Sequence, residues 1–304
     1  MTSTQEPETV ANLWSRLSAR GLLLQVFLER QDIKLGKFRL KALEQANLRS
    51  KKSVVSASGP AVSVTTHGAR IQTVFYALES IAAGRVLPSR LILWLDDAAA
   101  FNALPDSLRR LQDRGLEVRL SANYGPHTKY YPYVLSEKNF DRPLVIADDD
   151  VIYSRWWLAG LVRAYQRDPG VVNCYRAHTV NITDGQIALY QTWPHCHSTI
   201  PSFRYFATGV SGCIYPPRLL EALKRTGTAF ASVCPKADDI WLHVSALRAG
   251  FKIRQIFDRQ VNFPFVPGTQ ADGLFQTNVG LSANDAQIKN TYTPDDLKTL
   301  VSAN

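Results

Sequence analysis

The chain has 304 residues, 45% of them hydrophobic and 20% charged, which is ordinary for a globular protein and enough to bury a sizeable core. That balance excludes a fibrous or disulfide-stapled chain. The four cysteines (Cys174, Cys196, Cys213 and Cys234) form no C-x-x-C pair and read as reduced, partly buried thiols. The net charge of +9 is concentrated early, since Leu13 to Lys52 carries ten Lys and Arg against three acids.

Residues 1–11 are polar, with Glu6 and Glu8 where a secretory signal would have a basic start and an apolar centre. The apolar stretch Gly21 to Leu28 is far shorter than the roughly 20 residues of a membrane-spanning helix. The chain is therefore expected to be cytoplasmic. Residues 12–50 read as helical, making residues 1–52 a basic extension suited to peripheral contact with anionic lipid headgroups at the inner membrane face. No aromatic-basic recognition module accompanies the charge, so no nucleic-acid partner is expected. Lys51 to Pro60, rich in Ser and Lys, reads as a linker.

From there strands and helices alternate. Ala61–Thr66 is a β-branched run closed by His67-Gly68, and Ile71–Ala82 reads as a helix. Leu91–Leu95 is a continuous apolar run closed by Asp96-Asp97. A helix over Pro105–Arg114, a strand over Leu116–Leu120, a strand over Leu144–Ala147, a helix over Trp156–Gln166 and a strand over Val171–Tyr175 follow. Continuous apolar strands alternating with helices predict an α/β fold, an open and mostly parallel sheet covered on both faces. Residues 53–260 are expected to form this domain, in two halves at about 61–150 and about 151–260. Residues 261–304 form a tail over the site, and the Pro- and Gly-containing stretch Val261–Val279 is the candidate closing loop.

Ligands of such sheets bind at the carboxyl ends of the strands, where this chain places Thr66-His67-Gly68, Asp96-Asp97 and Asp148-Asp149-Asp150. Strand alternation would point Asp148 and Asp150 to one side and Asp149 to the other. Two carboxylates on one side repel unless a cation compensates, and hard oxygen donors suit Mg²⁺ or Mn²⁺ shared with phosphate oxygens. Helix capping is the plainer role for one of the three.

A strand ending in D-x-D after an earlier strand ending in Leu93-Trp-Leu-Asp-Asp97 resembles the GT-A glycosyltransferases, of the kind found in bacterial family 2. The resemblance covers residues 61 to about 256. It implies a Rossmann-like sheet and a nucleotide-sugar donor, with a UDP-sugar favoured, contacted by Thr66, His67, Arg70, Asp96, Asp97, Asp148 and Asp149. It makes Asp150 and Asp148 the metal ligands, with Asp150 the direct one.

Two later stretches fit the same scheme. Phe206 to Pro217 is a loop in which Gly209 and Gly212 allow a ligand close to the backbone. Lys236-Ala-Asp-Asp-Ile-Trp-Leu-His243 opens a helix and resembles the acidic pair of inverting members, with one of Asp238 and Asp239 as base and the other as cap; Asp239 is favoured as base, though the sequence does not separate the two. Lys129, between the third strand and the aspartates, would meet the diphosphate. The acceptor would be a hydroxyl of a glycan or lipid-linked glycan. A nucleotidyltransferase or other metal-dependent phosphate-chemistry enzyme is the rival reading, followed by a nucleotide-sugar-binding relative without turnover. His195-Cys196-His197 reads as a loop pair, since two further zinc ligands are not in sight.

Overall fold

The computed structural model describes residues 33–270 and 283–303. Its centre is a seven-stranded sheet. The strands are β1 (Ala61–Thr65), β2 (Arg90–Leu95), β3 (Leu116–Leu120), β4 (Leu144–Ala147), β5 (Val171–Cys174), β10 (Cys213–Tyr215) and β11 (Lys252–Gln255), in the order β11-β5-β10-β4-β1-β2-β3. All neighbours are parallel except β10, which runs antiparallel to both β4 and β5. The expected α/β class, mostly parallel with helices on both faces, is the architecture found. Four very short strands, β6 (Ala177–Thr179), β7 (Ile182–Thr183), β8 (Gln186–Ile187) and β9 (Tyr205–Ala207), lie outside the main sheet between β5 and β10.

Period-two alternation divides the central strands between two cores. Val62, Val64, Leu91, Leu93 and Val145 face α2 (Val74–Ala82), α4 (Asp106–Gln112, after the short α3 at Ala98–Asn102) and α6 (Trp157–Arg167). Ala61, Ile92, Trp94, Leu144 and Ile146 face α5 (Tyr131–Ser136), α7 (Pro217–Thr226), the short α8 (Phe230–Val233) and α9 (Asp238–Arg248). Shortening a fully buried member such as Leu93 to Ala removes about 2–5 kcal/mol from the fold. Ser63 is the polar exception among them: it accepts from Trp94 Nε1 at 2.9 Å and donates to the Lys129 carbonyl at 2.7 Å. The four cysteines are buried free thiols.

Two elements depart from expectation. The first helix after β1 begins at Val74, because Gly68–Gln72 closes a 3₁₀ turn whose Arg70 carbonyl accepts the Thr73 N–H at 2.9 Å. Lys51 to Pro60 is no free linker: Val54 is fully buried and its N–H bonds the Arg114 carbonyl, while the Ser56 N–H bonds that of Pro88.

The helix α1 (Ile33–Arg49) packs on α2 and α4. Buried Asn47 donates to Glu79 Oε1 at 3.0 Å, which also receives Arg114 Nη1 at 2.6 Å. Leu43 packs with Ile152 and Val266, and Arg39 donates to the Tyr153 carbonyl, so α1 backs the segment that follows the three aspartates. Its outer side exposes Lys37, Phe38, Lys41, Leu48 and Arg49; residues 12–32 of the expected basic helix lie outside the described residues. Among the described residues no helix is long and apolar enough to cross a membrane. The closing helices α10 (Ala283–Thr291) and α11 (Pro294–Ser302) pack on α9, α11 starting from a capping box of Thr293 and Asp296.

Candidate functional site

A cleft of about 1240 Å³ opens along the edge of the sheet where β1, β2 and β4 end and β10 begins. Its wall includes His67, Arg70, Asp96, Asp97, Lys129, Asp148, Asp149, Asp150, Gly209, Asp238 and Asp239. The topology thus collects one side of the cleft from the early strands and the other from α9 and the turn before β10.

The three aspartates do not alternate as a strand would. The chain leaves β4 at Ala147 and turns, and Asp148 meets a different cation from the other two. Asp148 meets Lys129 Nζ at 2.5 Å. Asp149 accepts from Thr66 Oγ1 at 2.6 Å and from Arg70 Nη1 at 3.0 Å, and Asp150 lies 3.3 Å from the same nitrogen. Gln270 Nε2 donates to Asp150 at 2.9 Å. Burial first, then Asp148 and Asp149, pushes the Asp150 carboxyl up to about 6. Burial also raises Asp149, against the pull of Thr66 and Arg70.

The turn is held from behind. The Asp148 N–H donates to the buried Tyr153 hydroxyl at 2.7 Å. Val266 donates its N–H to the Asp150 carbonyl and Ile152 to that of Pro264. The first part of the expected closing loop is therefore fastened to the aspartate turn, with Val261, Phe263 and Val266 buried. Residues 271–279 of that loop lie outside the described residues.

On the nucleotide side, Asp97 serves as the N-cap of α3, accepting from Ala99 N at 2.8 Å and Ala100 N at 3.3 Å. Asp96, half-buried on the cleft wall, is left to face a ligand. Thr66 is buried behind Asp149 and holds it, while Thr65 and His67 reach the cleft.

Asp239 sits one residue into α9, where its Oδ1 accepts the Gly209 N–H at 3.0 Å. A Cβ at Gly209 would lie 3.2 Å from that oxygen, so glycine allows the two segments to close together. Burial first, then Asp238, pushes the Asp239 carboxyl up to about 8; Lys129 and the Gly209 N–H act in the opposite sense. The expected capping role of Asp238 is not observed. The helix starts from Ala237 with no side-chain cap, and Asp238 instead lies 3.7 Å from Lys129 Nζ. Lys129 thus stands between the two acid groups. Burial disfavours its charge, yet Asp148, Asp238 and Asp239 together hold its ammonium well above the ordinary value. Gly212 has a structural reason of its own. At φ +95° it packs where a Cβ would lie 2.6 Å from Trp157 Nε1, and it does not line the cleft.

Sequence reasoning missed the remaining wall, formed by Arg176, His178, Tyr190 and Trp193. These come from the stretch carrying β6–β9, whose strands of two or three residues leave no readable period. His195 of the His-Cys-His run packs against His178, with ring centroids 5.0 Å apart.

Among the described residues no three His, Cys, Asp or Glu side chains converge as in an all-protein metal cage. The aspartate turn nonetheless fits a hard divalent cation that takes few protein ligands and completes its shell with phosphate and water. Its donors are carboxylates, and Asp148 and Asp149 add to burial in raising Asp150, against the pull of Arg70 and Gln270.

No protein-family model matches the chain, and no curated protein matches it. Among solved structures, a Pyrobaculum calidifontis mannosyltransferase in complex with GDP-Man and Mn²⁺ is 17% identical, over 94% of this chain and 79% of that one, with a TM-score of 0.47. TarS from S. aureus is 11% identical over 80% of this chain and 69% of its own, with a TM-score of 0.45. A CMP:2-keto-3-deoxy-manno-octonic acid synthetase complexed with CTP is 12% identical over 75% and 100%, with a TM-score of 0.41. At these identities the likeness concerns the fold alone.

Proposed function

We propose that the chain is a metal-dependent glycosyltransferase that moves a sugar from a nucleoside-diphosphate donor, a UDP-sugar by expectation, to a hydroxyl of a glycan or lipid-linked glycan with inversion. The observation that carries this is the pair of acid groups facing one cleft, Asp148–Asp150 on one side and Asp238–Asp239 on the other, with Lys129 between them. The GT-A resemblance of the D-x-D strand and of the later acidic pair supports the same roles.

Asp150 and Asp148 would hold the Mn²⁺ or Mg²⁺, which when bound supplies positive charge to the departing diphosphate. Lys129, within reach of Asp148, brings an ammonium to the same diphosphate. Arg70 keeps Asp149 and Asp150 in place, and Asp96 faces the nucleoside. The acceptor oxygen forms a bond to the anomeric carbon as the bond to the diphosphate oxygen breaks, and the hydroxyl proton passes to Asp239. Its raised affinity for a proton suits that task, and the Gly209 N–H aims the carboxylate. A nucleotidyltransferase would use the first acid group and leave the second without a part.

The test is a thermal-shift series with UDP, GDP, CDP and ADP, each with and without Mn²⁺. One nucleotide should stabilise the protein only with the metal, by about 2.7 kcal/mol at a hundredfold excess over Kd, and Asp150→Ala should abolish the metal dependence. No metal-dependent shift with any nucleotide, or release of pyrophosphate from a nucleoside triphosphate and a sugar phosphate, overturns the reading.

A further inference from the structure

The acceptor is the open term of that reading, and the wall opposite the aspartate turn bears on it. Arg176 follows β5 and lines the cleft. Its Nη1 donates to Thr208 Oγ1 at 2.8 Å, and the Thr208 N–H donates to the Arg176 carbonyl at 3.0 Å, which fixes both ends of the residue. The ion pairs of the cleft acids go to Arg70 and Lys129; among the described residues Arg176 takes part in none.

Its neighbours are suited to a sugar. His178 Nδ1 lies 3.1 Å from the Trp193 carbonyl, so that nitrogen carries the proton and Nε2 is an acceptor. Burial, then the charge of Arg176, pushes His178 down to about 4 and keeps the ring neutral. Tyr190 feels both Arg176 and Asp239, and its ring lies 5.1 Å from that of Trp193. A cation, a neutral imidazole, a phenol and the carboxylate proposed as base therefore border one space.

We propose, resting on the transferase reading, that the acceptor is a sugar bearing an anionic group, phosphate or carboxylate, bound by Arg176 while His178 and Tyr190 hold ring hydroxyls. A guanidinium presents paired N–H groups to either anion, and among the described residues Arg176 has no ion-pair partner.

The test uses the full-length protein saturated with Mn²⁺ and its nucleoside diphosphate, so that the diphosphate position is filled. Isothermal titration compares a methyl hexoside, its 6-phosphate and the matching methyl hexuronide. At least one charged probe should bind about tenfold tighter than the neutral one, the scale of a charge-assisted hydrogen bond. Which charged probe binds separates phosphate from carboxylate. Arg176→Gln should erase the preference and Arg176→Lys should retain part of it, with the nucleoside diphosphate Kd within about twofold of the parent in both. Equal affinity for charged and neutral probes, or no binding of any probe, overturns the proposal. So does a nucleotide Kd that rises in Arg176→Gln while the probe preference stays, which would assign the guanidinium to the donor. A protein that binds no nucleoside diphosphate loses the transferase reading itself, and this inference with it.

Discussion

The two sides of the cleft hold their acids by opposite means. On one side the three consecutive aspartates meet cations, Asp148 with Lys129 and Asp149 and Asp150 with Arg70, and Lys129 also reaches toward Asp238. Behind them α1, α2 and α4 are tied through the buried Glu79, Arg114 and Asn47. On the other side Asp239 has a single backbone N–H and is desolvated beside a like charge, among neutral aromatic and imidazole groups. Arg70 and Lys129 offset part of the charge gathered on the first set. Burial keeps the second poised to take a proton. Under the proposed function, electrostatic stabilisation would fall to one side and proton transfer to the other.

The sharpest way to break that contrast is at Asp239. Asp239→Asn should lower transfer by about 10²–10⁴-fold while leaving the Mn²⁺-dependent nucleotide shift in place, measured by steady-state rates beside thermal shifts. Loss of the shift as well would mean that the two sides do not divide the work. On the paired side, Glu79→Ala leaves Arg114 buried without its partner and should cost about 3–5 kcal/mol in a denaturant titration. A loss within about 0.5 kcal/mol would show that the ion pairs there are not what holds α1.

The pH profile probes the same contrast without a substitution. A base must be unprotonated to act, so kcat/KM of the free enzyme should rise about tenfold per pH unit and level off near 8, where the Asp239 carboxyl titrates. The sign for stability is the reverse. The folded state binds this proton more tightly than the unfolded one, so stability should fall as pH rises from the ordinary carboxylate range to about 8, and less so in Asp239→Asn. A rate profile flat from pH 5 to 9 removes the contrast between the two sides.

Much of this was legible in the chain itself. Leu91–Leu95 and Leu144–Ala147 are apolar without a break because both faces of their strands are covered, and the acids stand where the apolar run stops. Helix initiation at Asp238 was equally readable from Gly250 and the spacing of Ile240, Val244 and Leu247. The orientation of the three aspartates was not, since alternation holds only while the chain stays extended and here it turns at Asp148. Asp97 and Asp96 look alike in sequence, and only the start of α3 two residues later separates a cap from a free carboxylate. Lys51–Pro60 has a linker's composition, yet Val54 finds a pocket beneath Arg114. Arg176 and His178 carry no local signal, because their significance depends on a chain reversal nearly forty residues long.

That reversal has a consequence for how such a protein can change. The strand β5 leaves the sheet at the edge bearing the aspartates, and β10, running the opposite way, rejoins it at the same edge. Everything from Arg176 to Gly212 is therefore a closed detour whose two ends are neighbours, pinned where Cys213 faces Cys174. It is tied down on the way, Ser202 to Ile253 of β11 and Gly209 to Asp239, so variation is easiest in the stretches between those ties. If Arg176 reads the acceptor, recognition would lie on this detour, while the aspartates that follow β4 stay with the sheet.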